Sequence, residues 1–442
     1  MTIHSKDGIT WLTKLERIKL LSSQNQEIKF NNLGHIIDLK MLEEQYKELS
    51  SKKAIGVDGI TKAEYGKKLE ANLSSLLNRI RKSQYNTKPA RITTIPKEDG
   101  NKRPLVISCF EDKIVESAVN KILNAVFEPI FLKYSFGFRP KVNAHDALRN
   151  LNKLTYRFNK GAIVEIDITK CFNTIRHYEL MEFLRKRISD KRFLKLVKKL
   201  IETPIIENGI TILNKEGCRQ GSIVSPTLAN IFLHYVIDCW FSKISKENMT
   251  GQAEMVRYCD DMVFVFENEE DARRFYDVLP KRLNKYGLNI NESKSQMIES
   301  GKYHAEDLAK QGKKIRTYNF LGFTCYWGKS RYGTTWRLKY TTRRDRFTEK
   351  LKSMREYLRS QLNERNKMQV LTQTIRVVQG WINYHGISDN QRRVKSFIRE
   401  SRRAIYLWFR RMGGKRKMNW RRLLVVLERI NFPSKWKTSS MF

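Results

Sequence analysis

Apolar residues recur at helical spacing through the first fifty positions. Leu12, Leu15, Ile18 and Leu21 form one set, and Leu39, Leu42, Tyr46 and Leu49 a second. Steps of three and four place each set on one helix face, so residues 10–50 are expected to be helical. The stretch Ala54 to Thr61 is punctuated by Gly56 and Gly59 and reads as a turn. A further helix is expected through about Arg81. Ala90 to Lys97 then reads as a strand, with Glu98-Asp99-Gly100-Asn101 as its hairpin turn. Strand and helix patterns mix from there to about residue 330, the signature of an α+β domain. Beyond about residue 340 the pattern is helical and strongly basic. No internal repeat or low-complexity linker interrupts the chain, so its parts are expected to pack closely.

One apolar run has two acids at its centre: Met255-Val256-Arg257-Tyr258-Cys259-Asp260-Asp261-Met262-Val263-Phe264-Val265-Phe266. The β-favouring flanks predict a hairpin with the acids at its tip. Adjacent carboxylates repel, so folding alone rarely asks for them. An isolated pair is nonetheless more often an acidic turn than a site. A second run changes the balance. Ile163-Val164-Glu165-Ile166-Asp167-Ile168-Thr169-Lys170-Cys171-Phe172 is a short apolar strand that ends on an acid and then turns. Asp167 beside Asp260 would set carboxylates at the ends of neighbouring strands. Hard divalent cations favour such oxygens, and two of them about 3.5–4 Å apart can clamp the attacking and leaving oxygens of a phosphoryl transfer.

The charge balance points the same way. Lys and Arg number 85 against 46 Asp and Glu, a net charge of +39, which calls for a polyanionic partner. The length allows two or three domains. No apolar run is long enough for a membrane-spanning helix, and no signal-peptide core follows Met1. The six cysteines are scattered without a C-x-x-C pair and the seven histidines show no zinc spacing, so reduced thiols in a cytoplasmic protein are expected. The segment from Gln391 to Arg422 carries about a dozen cations and a single acid, interleaved with Phe397, Tyr406, Trp408, Phe409 and Trp420, and preceded by Trp381 and Tyr384. Phe397, Ile398, Ile405 and Trp408 suggest a helix with one apolar and one basic face.

These motifs, taken in order, resemble those of the group II intron reverse transcriptases, the intron-encoded maturases. The resemblance spans IPKEDGNKRPL (Ile95 to Leu105), FEDKIVESAV (Phe110 to Val119), SFGFRPKVNAHDAL (Ser135 to Leu148) and VEIDITKCF (Val164 to Phe172). It continues through RQGSIVSPTLANIFLHYVID (Arg219 to Asp238), RYCDDMVF (Arg257 to Phe264), LNINESKS (Leu288 to Ser295) and FLGF (Phe320 to Phe323). GWINYHGISDN (Gly380 to Asn390) looks like the maturase X region. The resemblance implies a right-hand polymerase, with fingers and palm built on an antiparallel sheet and followed by an α-helical thumb and X domain. Residues 1–90 would be the N-terminal extension and start of the fingers, 91–330 the fingers and palm, and 331–442 the thumb, X region and basic segment.

It also implies roles. Asp167, Asp260 and Asp261 would be the catalytic carboxylates, and Asp167, Ile168, Asp260 and Asp261 the positions around two Mg²⁺ ions, with Mn²⁺ a possible substitute. Asp261 would support rather than bridge. Lys97 and Arg103 would fold over the triphosphate, with Lys294 near the leaving pyrophosphate. Phe172 would abut the sugar and exclude a 2′-hydroxyl, Gln220 would contact the nucleotide, and Gly221 would admit close backbone approach. Arg139 would lie near nucleotide or template, or serve as a structural ion-pair partner. Phe320 to Phe323 resembles the primer grip, with aromatics that could equally be core. Lys29 to Leu33 resembles an extension that touches template RNA. The helical segment would grip RNA–DNA duplex and intron RNA by shape. Expected partners are RNA template, DNA primer or target and dNTPs, and the expected function is RNA-directed DNA synthesis with a maturase role in splicing and retrohoming. A domesticated intron-free enzyme and a splicing factor without polymerase activity are the alternatives. Two positions depart from the family pattern: Cys259 stands where alanine is common, and Asn173 where aspartate is. No His/Asn cluster or cysteine pair follows the basic segment, so second-strand cleavage by an HNH nuclease is not expected.

Overall fold

The computed structural model describes residues 10–96, 102–207, 209–330, 333, 335–412 and 418–441. Among these, eleven strands form three sheets: β1 (Ala90–Pro96), β2 (Lys102–Ile107), β3 (Ala162–Asp167), β4 (Ile205–Glu207), β5 (Ile210–Ile212), β6 (Ala253–Tyr258), β7 (Asp261–Phe266), β8 (Gln296–Glu299), β9 (Tyr318–Phe320), β10 (Phe323–Lys329) and β11 (Trp336–Thr342). Mixed helix and sheet agree with the expected α+β polymerase architecture. The chain divides into two compact units. The first comprises Met1–Asn143, Ile166–Met262 and Glu270–Gln296; the second comprises Ala144–Glu165, Val263–Glu269 and Met297–Phe442.

The first unit is organised around the Phe110–Phe127 helix, whose residues are mostly buried. Helices Trp11–Gln24 and Leu39–Glu48 pack on it. They are two helices, where the periodicity suggested one stretch from 10 to 50. The backbone turns extended at Asn25, and the Asp38 side chain caps the second helix by accepting from Met41 N–H. Between them Phe30 leaves the helical pattern to exchange backbone hydrogen bonds with Arg187 and Ser189, both at 2.8 Å. Phe30 and Leu33 are thereby core residues, while Lys29, Asn31 and Asn32 remain exposed.

The core helix carries three buried ionisable side chains, and each has partners. Tyr85 Oη donates to Asp112, Lys113 Nζ donates to the Ala54 carbonyl, and Ser108 Oγ and Ile223 N–H donate to Glu116. Burial pushes the Asp112 carboxyl up to about 7, against the lowering effect of the Tyr85 hydrogen bond.

β1 and β2 form the expected antiparallel hairpin, in register from Arg91 opposite Ile107 to Pro96 opposite Lys102. Its tip, Lys97 included, lies outside the described residues. The sheet continues in the order β2-β1-β4-β5. A second sheet has the order β6-β7-β3-β8.

In the second unit β9, β10 and β11 form a meander. Leu321 (φ 50°) and Gly322 (φ 76°) make the two-residue turn between Phe320 and Phe323, with both central φ positive as the twist of a tight hairpin demands. Phe320 and Phe323 are buried, so the aromatics of this turn are core. β11 ends at Thr342 and the helices begin at Arg344, in keeping with a pattern that reads as helical beyond about residue 340. They are Arg344–Ser360, Lys367–His385, Gln391–Arg411 and Trp420–Arg429.

Their core absorbs most of the aromatics that interleave with cations in the sequence. Trp381 stacks on Phe397 with centroids 3.8 Å apart, and Phe397 and Trp408 are buried. Only Tyr384 (37% exposed) and Trp420 (42%) remain substantially at the surface. The cations fall elsewhere. Arg392, Lys395, Arg399, Arg403 and Arg410 are exposed along one stripe of the Gln391–Arg411 helix. Among the described residues no helix is long and apolar enough to cross a membrane.

The GWINYHGISDN segment closes the Lys367–His385 helix and turns back onto β11. Buried Asn390 accepts from Thr342 N–H at 2.9 Å and donates to the His385 carbonyl and Thr342 Oγ1. His385 is enclosed beside Trp381 and Phe323. Burial, with lesser repulsion from His145 and Arg346, lowers its pKa to about 3. A folded pKa below the unfolded value of 6.5 means that the unfolded chain binds the proton more readily. This contribution to stability is therefore full above pH 6.5 and is lost as pH falls towards 3. Denaturant midpoints between pH 7 and pH 4 should decline, and His385→Gln should flatten that part of the decline while lowering stability at neutral pH.

Candidate active site

The two acidic runs fold as their patterns suggest. β6 and β7 are joined by Cys259 and Asp260 alone, so Asp260 sits at a hairpin tip and Asp261 opens β7. Asp167 ends β3, next to β7 in the sheet. Asp167 and Asp260 are close enough to feel each other. Burial, and then the Asp167 carboxylate, push the Asp260 carboxyl above its usual range, while its own backbone N–H, Arg103 and Arg257 pull it down.

The segment after Leu288 runs beside the end of β3 and fixes Asp167. Asn291 N–H donates to the Asp167 carbonyl at 2.8 Å, and Asn291 Nδ2 donates to Asp167 Oδ2 at 2.9 Å. Ser295 Oγ accepts from Asp167 N–H. The amide thus holds one oxygen of the Asp167 carboxylate.

The hairpin tip is held from behind by Arg257. This guanidinium is fully buried, and its N–H groups are all aimed at oxygens. Nε and Nη2 donate to the two oxygens of buried Asp238 at 2.7 and 2.6 Å. Nη1 donates to Asn230 Oδ1 and to the Cys259 carbonyl, both at 3.1 Å, and Nη2 also donates to Ser135 Oγ at 2.7 Å. Burial opposes ionisation of Asp238, but the Arg257 charge prevails and holds its carboxyl below the usual range. A π-helical turn, His234–Asp238, delivers Asp238 from the end of the Ser225–Leu233 helix. That helix buries Leu228, Ile231 and Phe232, and Val236 is buried in the turn that follows.

The segment from Tyr134 to Arg139 packs against the tip. Arg257 N–H donates to the Tyr134 carbonyl and Phe136 N–H donates to the Arg257 carbonyl, each at 2.8 Å. At Gly137 an added Cβ would lie 2.3 Å from Cys259 Sγ and 2.4 Å from Cys259 N, so only glycine fits. Cys259 itself has φ 60° and is buried. Arg139 is committed within this loop. It donates to Glu128 at 2.9 Å, to the Leu132 carbonyl at 3.0 Å and to the Ser135 carbonyl at 2.6 Å. The first of these is an ion pair.

Arg103 is exposed on β2, within electrostatic reach of Asp260. Lys97 lies outside the described residues. Phe172 is half-buried in the Cys171–Thr174 turn, five positions after Asp167, and its carbonyl accepts from Cys218 N–H at 2.6 Å. The Gln220 carbonyl accepts from Val106 N–H at 2.7 Å, while its buried Oε1 has no protein partner. Gly221 (φ 112°) abuts the Val106 carbonyl, where a Cβ would come within 2.4 Å. Lys294 is exposed, one residue before Ser295. Asn173 is exposed, and its N–H donates to the Lys170 carbonyl.

Among the described residues no cluster of three or more His, Cys, Asp or Glu is arranged to hold a metal. The donors that fit a hard cation are the neighbouring carboxylates Asp167 and Asp260, whose mutual repulsion a cation would relieve. Asp261 is exposed at the start of β7, and buried Ile168 can offer only its main-chain carbonyl. Asn291, Arg257, Asp238, Asn230 and Gly137 were not singled out from the sequence. The available signal was a charge inside an otherwise apolar run, Arg257 in one and Asp238 in another.

The family model described as reverse transcriptase (RNA-dependent DNA polymerase) matches residues 95–325. Among curated proteins, "Protein YkfC" of Escherichia coli (strain K12) is 37% identical over 320 residues, covering 64% of this chain and 80% of that protein. "Group II intron-encoded protein LtrA" of Lactococcus lactis subsp. cremoris is 32% identical over 302 residues, 65% of this chain and 50% of that protein. "Putative COX1/OXI3 intron 1 protein" of Saccharomyces cerevisiae is 28% identical over 341 residues, 66% of this chain and 40% of that protein. The chain thus matches four-fifths of the bacterial YkfC protein but half or less of the two intron-encoded ones.

Removing one partner of a buried ion pair strands the other charge. Asp238→Ala should cost about 3–5 kcal/mol in urea unfolding, and the double replacement Asp238→Leu with Arg257→Met should recover much of it.

Proposed function

Because the chain belongs to the reverse transcriptase (RNA-dependent DNA polymerase) family, we propose that Asp167 and Asp260 are the carboxylates at which it extends a DNA 3′ end along an RNA template. The observation that carries this reading is their placement at the end of one strand and at the hairpin tip of the neighbouring strand. Asp167 and Asp260 would hold divalent ions, Mg²⁺ by preference and Mn²⁺ as a substitute, with Asp261 and the Ile168 carbonyl adjoining. When bound, such ions neutralise phosphate charge and lower the pKa of a coordinated hydroxyl.

The chain's own residues do the rest. Asn291 holds one Asp167 oxygen and so restrains the carboxylate. Arg257 holds the hairpin tip by the Cys259 carbonyl and favours the ionised form of Asp260. Arg103 and Lys97 would receive the triphosphate, where a guanidinium can bind two oxygens at once. Lys294 would face the departing pyrophosphate. Phe172 would lie against the sugar, and Gln220 would present its unpaired Oε1 to the nucleotide.

The group II intron relatives support a maturase role in splicing and retrohoming. In this reading residues 1–90 contribute the extension and start of the fingers, 91–330 the fingers and palm, and 331–442 the thumb and X region. The cation stripe of the Gln391–Arg411 helix would follow a phosphate backbone by charge, while its aromatics serve the core.

Purified protein with an RNA template, a DNA primer, dNTPs and Mg²⁺ should yield full-length cDNA, and Asp260→Ala none. Folded wild type that binds RNA yet extends nothing would overturn the proposal. Replacing Arg392, Lys395 and Arg399 by Gln should weaken RNA binding and flatten its salt dependence by about three units of slope at most.

A further inference from the structure

Phe138 combines three properties seldom found together. Its ring is 52% exposed. Its backbone has φ 53°, a region that bulky residues avoid. Its ring also meets Phe172 edge to face, with centroids 6.2 Å apart and planes at 82°. Among the described residues it is the one ring in contact with Phe172. An exposed aromatic in a strained conformation contributes little to a core, and strain of this kind collects where geometry serves a function.

The surroundings show how the strain is sustained. Gly137, immediately before, is pressed against Cys259, and its carbonyl accepts from Asn230 Nδ2 at 2.6 Å. Arg139, immediately after, is fastened to Glu128 and to two main-chain carbonyls. Phe138 therefore sits between two fixed points, one of which is the catalytic hairpin. Phe172 lacks comparable restraint on its ring. Its main chain is tied to Cys218, but the side chain is only half-buried. A half-buried phenylalanine free to change rotamer would make a poor steric gauge.

We propose that Phe138 is a specificity-determining positioning residue: its ring edge holds the Phe172 ring in the orientation that distinguishes deoxyribose from ribose. The inference rests on the polymerase reading and on Phe172 as the sugar-facing residue. It adds that the SFGFRP loop ties the position of that ring to the position of the carboxylates.

The test is single-nucleotide addition opposite an RNA template, comparing kcat/KM for a dNTP and the matching rNTP. Phe138→Ala should lower the dNTP-to-rNTP ratio by about two- to tenfold, the range that an edge-to-face ring contact supports. Addition of the dNTP should be largely kept, and Phe138→Tyr should restore the ratio. In a Phe172→Ala background, Phe138→Ala should change the ratio no further. General damage to the fold would lower both substrates together and leave the ratio alone. If Phe138→Ala gives no folded protein, Phe138→Leu, which keeps bulk without the ring edge, should show a partial loss. An unchanged ratio in folded Phe138→Ala or Phe138→Leu overturns the inference alone, as does an equal further loss on top of Phe172→Ala. Wild type that adds no nucleotide, or that does not discriminate, overturns it together with the reading beneath it.

Discussion

Arg257 is the residue on which the candidate site depends. A guanidinium removed from water must find an acceptor for each N–H and a counter-charge, or the fold around it fails. Asp238 supplies the charge, and Asn230, Ser135 and the Cys259 carbonyl supply the remaining acceptors. These acceptors come from a helix, a π-helical turn, a loop and the hairpin itself. One planar group thus sets the mutual positions of elements separated by more than a hundred residues of chain. The carboxylate at the tip inherits that precision because it is the next residue after the carbonyl being held.

The same group moderates the electrostatics. Two carboxylates brought together in a partly dry site would shed charge, as the upward shift of Asp260 shows. Arg257 behind and Arg103 in front oppose that drift. The site is left acidic enough to attract a cation, and its repulsion is contained when none is bound.

Much of this was legible in the chain. The apolar runs around Asp167 and Asp260 specify strands, and their acids fall at the ends because charges leave a strand most cheaply there. The β1–β2 hairpin follows from a strand pattern that ends on turn residues, and the helical basic segment from its period. Two features were hidden for physical reasons. The break at Asn25 serves a long-range pairing of Phe30 with Ile188, which local periodicity does not encode. The aromatics after residue 380 look like stacking platforms in sequence, yet burial of Phe397 and Trp408 follows from which helix faces meet, and that is a tertiary fact. Arg257 was hidden for a related reason: a lone cation in a strand looks like a surface position until its acid partner arrives from elsewhere.

The helix Ala144–Arg157 belongs to the second compact unit, although most of that unit lies after residue 296. Asn152 donates to the Leu338 carbonyl and Tyr340 donates to the Leu148 carbonyl, across 186 and 192 positions of sequence. On a ribosome adding about 5–20 residues per second, this helix waits on the order of ten to forty seconds for the strand that covers it. During that interval Leu148 and Leu151, enclosed in the finished protein, are open to solvent and to other nascent chains. The order of synthesis therefore leaves this amphipathic helix without the strand that covers it until nearly two hundred further residues have been made.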